Sequence, residues 1–237
     1  MKAKFISLSI EIACIFIAVT LSFYLDDVRE NRNEKQDIRE IIASLVGDIE
    51  IYTIDMSNGS QYASNVVDTI DKCLQMSLRN ERIEGQLRND FLYYISDVQS
   101  FSPSESSAYV GLLSSSVWQQ LPDSARRSIF NLYEISYKAV ERTRNNYASN
   151  NLYVRQHYFP KFHLMFYTSQ KGNDERFGLM DSLNFKNNFA LSLMDPEFRS
   201  MLVNARNLAN SAIVYQRTAK QEGEAAIAIL KHFLEEY

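Results

Sequence analysis

The chain has 237 residues, 46% of them hydrophobic, with only seven glycines and four prolines. So little punctuation favours long helices, and the length is ample for one buried core. A net charge of -4 argues against a general nucleic-acid binder, which needs a basic face, and two cysteines cannot build a disulfide framework.

The first element is an apolar run from Phe5 to Leu25 that opens after Lys2 and Lys4 and contains one acid, Glu11. About 21 helical residues just span a hydrocarbon core of roughly 30 Å, so a single transmembrane helix is expected over 5–25 and a helical soluble domain over 26–237. A cleaved secretory signal fits less well. The run is long for an h-region, Glu11 interrupts it, and no clean A-x-A pattern precedes Phe23 and Tyr24. Within the run, Ser7, Glu11, Cys14, Ala18 and Ser22 fall at helical spacing and make one small or polar stripe. In lipid such stripes mark helix-packing faces, and an intramembrane acid faces a partner or water. The stripe is therefore the expected interface with a second copy or with another membrane protein.

From Ile38 the apolar residues recur as Ile38, Ile42, Leu45, Ile49, Tyr52 and Met56, a 4-3 spacing that makes the seam of a packed or coiled-coil helix. The same register runs back through Lys35, Asn31 and Val28 to Tyr24 and Leu21, with no glycine or proline between, so one continuous rod is expected. Ser57-Asn-Gly-Ser60 suggests a bend, followed by a helix over 62–78 with Tyr62, Val66, Ile70 and Cys73 inward. Leu87, Phe91, Tyr94, Ile95 and Val98 share a face of the next helix, and Ser104 is the expected cap of a short one after a loop. Pro122-Asp123 opens a longer helix carrying Ile129, Tyr133, Tyr137 and Val140, expected to persist to Tyr158.

The span 161–188, with Gly172, Gly178 and Asn173-Asp-Glu-Arg176, is the least regular and the expected mobile or partner-dependent region. Asp195-Pro196-Glu197 has a capping acid, a proline suited to the first turn and an acid at the positive end of the helix dipole, so a long helix starts there. Its expected inward face is Phe198, Leu202, Ala205, Leu208, Ala212, Tyr215, Ala219, Ala226, Leu230 and Phe233. The fold class that follows is all-α: an N-terminal transmembrane helix continuing into an elongated multi-helix bundle.

The N-terminal block Ser9-Ile-Glu-Ile12, then Phe23-Tyr-Leu-Asp-Asp-Val-Arg-Glu-Asn-Arg32, then Ser44-Leu-Val-Gly-Asp-Ile-Glu50 resembles a family of uncharacterised bacterial single-pass membrane proteins. These have a Glu-containing transmembrane helix and an all-helical C-terminal domain. Ser107-Ala-Tyr-Val-Gly-Leu-Leu113 and Asp195-Pro-Glu-Phe-Arg199 are similar too. The chain departs from the family in its shorter basic tail and in lacking a tryptophan after the apolar helix. The resemblance implies a bacterial inner membrane. The short basic N-terminus favours a periplasmic soluble domain, although Arg29, Arg32, Lys35 and Arg39 nearly balance the count.

No motif carries chemistry. His157 and His163 lie across Pro160 and do not share a helical face, and there is no Cys-x-x-Cys, Gly-rich phosphate loop, G-x-S-x-G or H-E-x-x-H. Asp48 with Glu50 and Asp68 with Asp71 suit a solvated helix face. Fourteen tyrosines and fourteen phenylalanines suit core, half-buried faces and interfaces. The expectation is a membrane-anchored, non-enzymatic scaffold or accessory protein without a catalytic, metal or cofactor site. Its partners are the lipid bilayer and either copies of itself or another membrane protein, and not nucleic acid. The alternative is a ligand-sensing bundle with a small molecule between Tyr-rich helices.

Overall fold

A computed structural model describes the backbone of residues 2–83, 85–97, 106–164 and 183–236, with the side chains of 2–15, 31, 183–185 and 236 outside the described set. All regular structure among the described residues is helical. The elements are α1 (Lys2–Leu78), α2 (Gly85–Ser96), α3 (Ser107–Ser114), α4 (Val117–Gln120), α5 (Asp123–Phe130), a π-helical segment (Asn131–Tyr137), α6 (Lys138–Lys161), α7 (Leu183–Met194) and α8 (Pro196–Glu236). The expected cap Ser104 and most of the expected mobile span, 165–182, lie outside the described residues.

The rod expected at the N-terminus is present, because α1 runs unbroken from Lys2 to Leu78. It also runs through Ser57–Ser60, where a bend was expected. Helix propensity penalises one glycine by only about 1 kcal/mol, and packing on both sides outweighs it.

The membrane expectation is overturned. Among the described residues no helix is long and apolar enough to cross a membrane. Beyond Leu25 α1 turns directly into Asp26, Asp27, Arg29 and Glu30. The transmembrane helix over 5–25, its placement in a bacterial inner membrane and the periplasmic orientation are corrected on this finding.

The chain divides into two compact units. The smaller holds Met1–Asp48, Ser106–Leu121 and Ile229–Tyr237. In it Asp48 of α1 accepts from Ser106 Oγ at 2.8 Å, and Ser106 in turn caps α3 by accepting from the Tyr109 N–H at 3.0 Å. An acid expected to be merely solvated thus sits at a helix N-terminus, where the helix dipole favours negative charge.

The larger unit holds Ile49–Glu105 and Pro122–Ala228. Its frame is an antiparallel pair made by α1 and α8. Ser57 meets Lys220, Gly59 meets Gln216 and Asp71 meets Arg206, so one chain number rises as the other falls. Both helices bury residues at 4-3 spacing. On α1 these include Ala63, Val66, Ile70 and Cys73, and on α8 Phe198, Leu202, Ala205, Ala209, Ala212, Gln216, Ala219 and Ala226. The small side chains on α8 let the backbones approach. An added Cβ at Gly223 would lie 2.6 Å from the Thr53 methyl and 3.4 Å from Ile49 Cγ2. Of the expected α8 face, Tyr215 is exposed, while Ala209, Gln216 and Gly223 take seam positions.

The other helices of the larger unit close its core around this pair. Tyr158 of α6 packs on Phe198 with ring centroids 5.3 Å apart, and Phe91 of α2 meets Phe189 of α7 at 5.5 Å. Helix α2 ends against α6, whose Tyr147 hydroxyl and Asn151 amide donate to the Tyr94 carbonyl at 2.9 and 3.0 Å. Those bonds satisfy a carbonyl that the helix terminus leaves without an intrahelical donor. The π-helical segment presents Tyr133 and Tyr137 to Tyr52 of α1, and its Ser136 hydroxyl donates to Glu222 of α8.

The expected start of α8 is correct in detail. Asp195 Oδ1 accepts from the Phe198 N–H at 2.9 Å, and Oδ2 accepts from Lys161 Nζ at 2.7 Å. The Lys161 ammonium, with the backbone donors behind it, holds the Asp195 carboxyl below its ordinary value.

Two outcomes follow from this packing. Gly223→Ala should lower unfolding stability by about 1–3 kcal/mol through overpacking. Adding Thr53→Ser, which removes the opposing methyl but keeps the hydroxyl that donates to the Glu50 carbonyl, should recover most of the loss in denaturant titration. For Asp195, a carboxyl lowered on folding contributes stability above its unfolded value, about 4, and loses it as pH falls through the folded value. Asp195→Asn keeps a capping oxygen and should therefore be less stable than wild type near neutrality. The two should converge when unfolding is followed down to about pH 2.

Candidate functional site

Every residue of the expected seam is buried: Ile38, Ile42, Leu45, Ile49 and Met56 are at most 1% exposed and Tyr52 is 5% exposed. The seam is core of this chain and leaves no surface there for a partner. In the expected stripe, Ala18 and Ser22 are exposed on α1, while the side chains of Ser7, Glu11 and Cys14 lie outside the described residues. Among the described side chains of α1, burial begins at Ile38. Of the described side chains from Phe16 to Asp37 none is buried and only Val28 is half-buried.

Tyr52, Tyr133, Tyr147 and Tyr158 are buried in the core. Burial, with Tyr137, Tyr133 and Glu222 adding to it, pushes the Tyr52 hydroxyl well above the usual phenol value. Cys73 is fully buried, and burial pushes its thiol up to about 12. It packs as a small apolar residue, as expected. His157 packs on Tyr153 in a tilted pair with centroids 4.2 Å apart, and His163 sits just past α6 with φ of +52°. Among the described residues no group of three or more His, Cys, Asp or Glu is placed to hold a metal ion.

The most chemically directed feature is a polar cleft of about 260 Å³ between α1 and α8 in the larger unit. Ser57, Ser60 and Ser64, spaced three and four apart, present hydroxyls from one face of α1. Arg217 and Lys220 supply two cations from α8, and no acid and no tyrosine lines the cleft. Lys220 Nζ donates to Ser57 Oγ at 3.1 Å and lies 3.8 Å from the Glu224 carboxylate.

Gln216 also lines the cleft, is 1% exposed, and its Oε1 accepts no hydrogen bond. It fits because of Gly59. A Cβ there would stand 2.6 Å from Gln216 Nε2, so glycine leaves the amide room in this rotamer and a larger residue would shift it. Sequence reasoning missed these residues because the helix was expected to bend at Gly59. Carried through that glycine at helical spacing, the three serines align.

A second cleft of about 290 Å³ lies by the C-terminal end of α1 and α7. Its walls, Ile83, Phe189 and Leu193, are apolar, with Glu81, Arg82 and Lys186 also in the lining. No tyrosine lines either of these two clefts. No family model, no curated protein and no solved structure matches the chain.

The burial of Cys73 has a direct readout. In a Cys14→Ser background the native protein at about pH 8 should react with a thiol reagent far more slowly than free cysteine. Unfolding in guanidinium should restore the ordinary rate.

Proposed function

We propose that this chain is a non-enzymatic helical scaffold that works by self-association through the N-terminal part of α1. The observation that carries this reading is a dense apolar surface. Seven large side chains, Phe16, Ile17, Val19, Leu21, Phe23, Tyr24 and Leu25, are each 49–72% exposed. Exposed apolar patches of this density mark interaction surfaces, and fully burying one such side chain stabilises by about 1.5–3 kcal/mol.

The face that pairs is the continuation of the seam. Leu21, Tyr24 and Val28 stand in the 4-3 register that α1 carries unbroken to Ile38 and beyond. Repeats of that kind bring helices together in water by burying apolar area. The small stripe at Ala18 and Ser22 offers little such area, and the rule that favours small residues belongs to lipid.

Sedimentation of the purified full-length chain tests this. A concentration-dependent oligomer is expected, and Leu21→Glu with Tyr24→Glu should weaken it at least about tenfold by burying charge. These positions are exposed, so the fold should be kept. A wild-type monomer, or an oligomer broken by Ser22→Glu but not by the Leu21 and Tyr24 changes, would overturn the reading.

A further inference from the structure

We infer that the cleft between α1 and α8 is a binding site for a phosphate group that retains a proton, as inorganic phosphate or a small phosphomonoester. This is independent of self-association. The charge selects an anion, since Arg217 and Lys220 line the cleft with no acid in the lining, and Glu224 touches Lys220 only at 3.8 Å. The hydroxyls of Ser57, Ser60 and Ser64 add donors at the spacing of one helical face. Charge-assisted hydrogen bonds of this kind are the strong ones.

The Gln216 amide narrows the ligand class. It is 1% exposed, it lines the cleft, and its Oε1 accepts nothing. A buried acceptor without a donor is costly, so the ligand that fits brings a proton of its own. A phosphomonoester near its second pKa, about 6, has such a P–OH, and inorganic phosphate keeps at least one at that pH, whereas sulfate offers only acceptors. A carboxylate is likewise an acceptor alone when ionised. The volume of about 260 Å³ holds a phosphate with a small organic group and nothing drug-sized.

Calorimetric titration of the full chain with sodium phosphate, sodium sulfate and glycerol phosphate, at about pH 6 and equal ionic strength, tests the assignment. Phosphate should bind at least about tenfold more tightly than sulfate, the worth of one buried hydrogen bond. Ser60→Ala with Ser64→Ala, at half-buried positions where alanine is a better helix former, should weaken phosphate about tenfold. Lys220→Gln should weaken both anions. Gln216→Met, of similar volume, should bring phosphate down to the sulfate level. If that variant fails to fold, the serine pair and Lys220 still decide the matter.

Tighter binding of glycerol phosphate than of inorganic phosphate would identify a phosphorylated metabolite as the ligand. Equal or weaker binding would identify the free ion. No saturable phosphate binding below about 10 mM, equal affinity for sulfate, or affinity unchanged in both the serine and Lys220 variants would overturn the proposal.

Discussion

Gly223 and Thr53 stand so close that one added carbon would lie 2.6 Å from the threonine methyl, and this approach fixes the spacing of α1 and α8 in the larger unit. Alanine at 205, 209, 212, 219 and 226 keeps the facing surface low along the rest of α8. Small side chains contribute less apolar area than leucine, but they permit dense backbone contact, and packed interiors stabilise through that density. The outer elements then supply the bulk. Phe91, Phe159, Phe189 and Phe198 are among the largest fully buried side chains, and they come from α2, α6, α7 and the start of α8.

Polar groups inside this frame work chiefly on helix ends and between helices. Asn151 donates to the Tyr94 and Asp97 carbonyls at the end of α2, Asp195 caps α8 while bonding Lys161, and Asn204 donates to Asn150 Oδ1 at 2.8 Å. The Asn151 bonds compensate carbonyls that burial would otherwise leave costly. Gln216 Oε1, like Asn89 Oδ1 and Asn151 Oδ1, is buried without a donor, but Gln216 also lines a cationic cleft. The cationic lining beside that oxygen is what separates a candidate ligand site from ordinary core chemistry, and the place of the Gln216 amide depends on the slot at Gly59.

One heptad register has two fates along α1. At Ile38, Ile42, Leu45, Ile49, Tyr52 and Met56 it is buried by the chain itself, whereas at Leu21 and Tyr24 it stays exposed on the same continuous helix. A periodic apolar seam says that something will cover it, and the covering group can be the same chain or another copy. Spacing alone does not distinguish the two, since the burial energetics are the same in either case.

The helical class, the continuous N-terminal rod, the start of α8 at Asp195 and the burial of Cys73 were all determined by the sequence itself, because they rest on local rules of spacing, capping and apolarity that hold within a few turns. The path of α1 through Gly59, the seam positions of Ala209, Gln216 and Gly223, and the role of Asp48 as a cap for α3 were decided by tertiary structure. A glycine looks alike as a helix breaker and as a slot for a neighbouring side chain, and an acid looks alike on a solvated face and at the end of another helix. The partner that resolves each ambiguity lies far away in sequence, more than 150 residues for Gly59 and 58 for Asp48. Only folding, by bringing these segments together, selects one meaning for each residue.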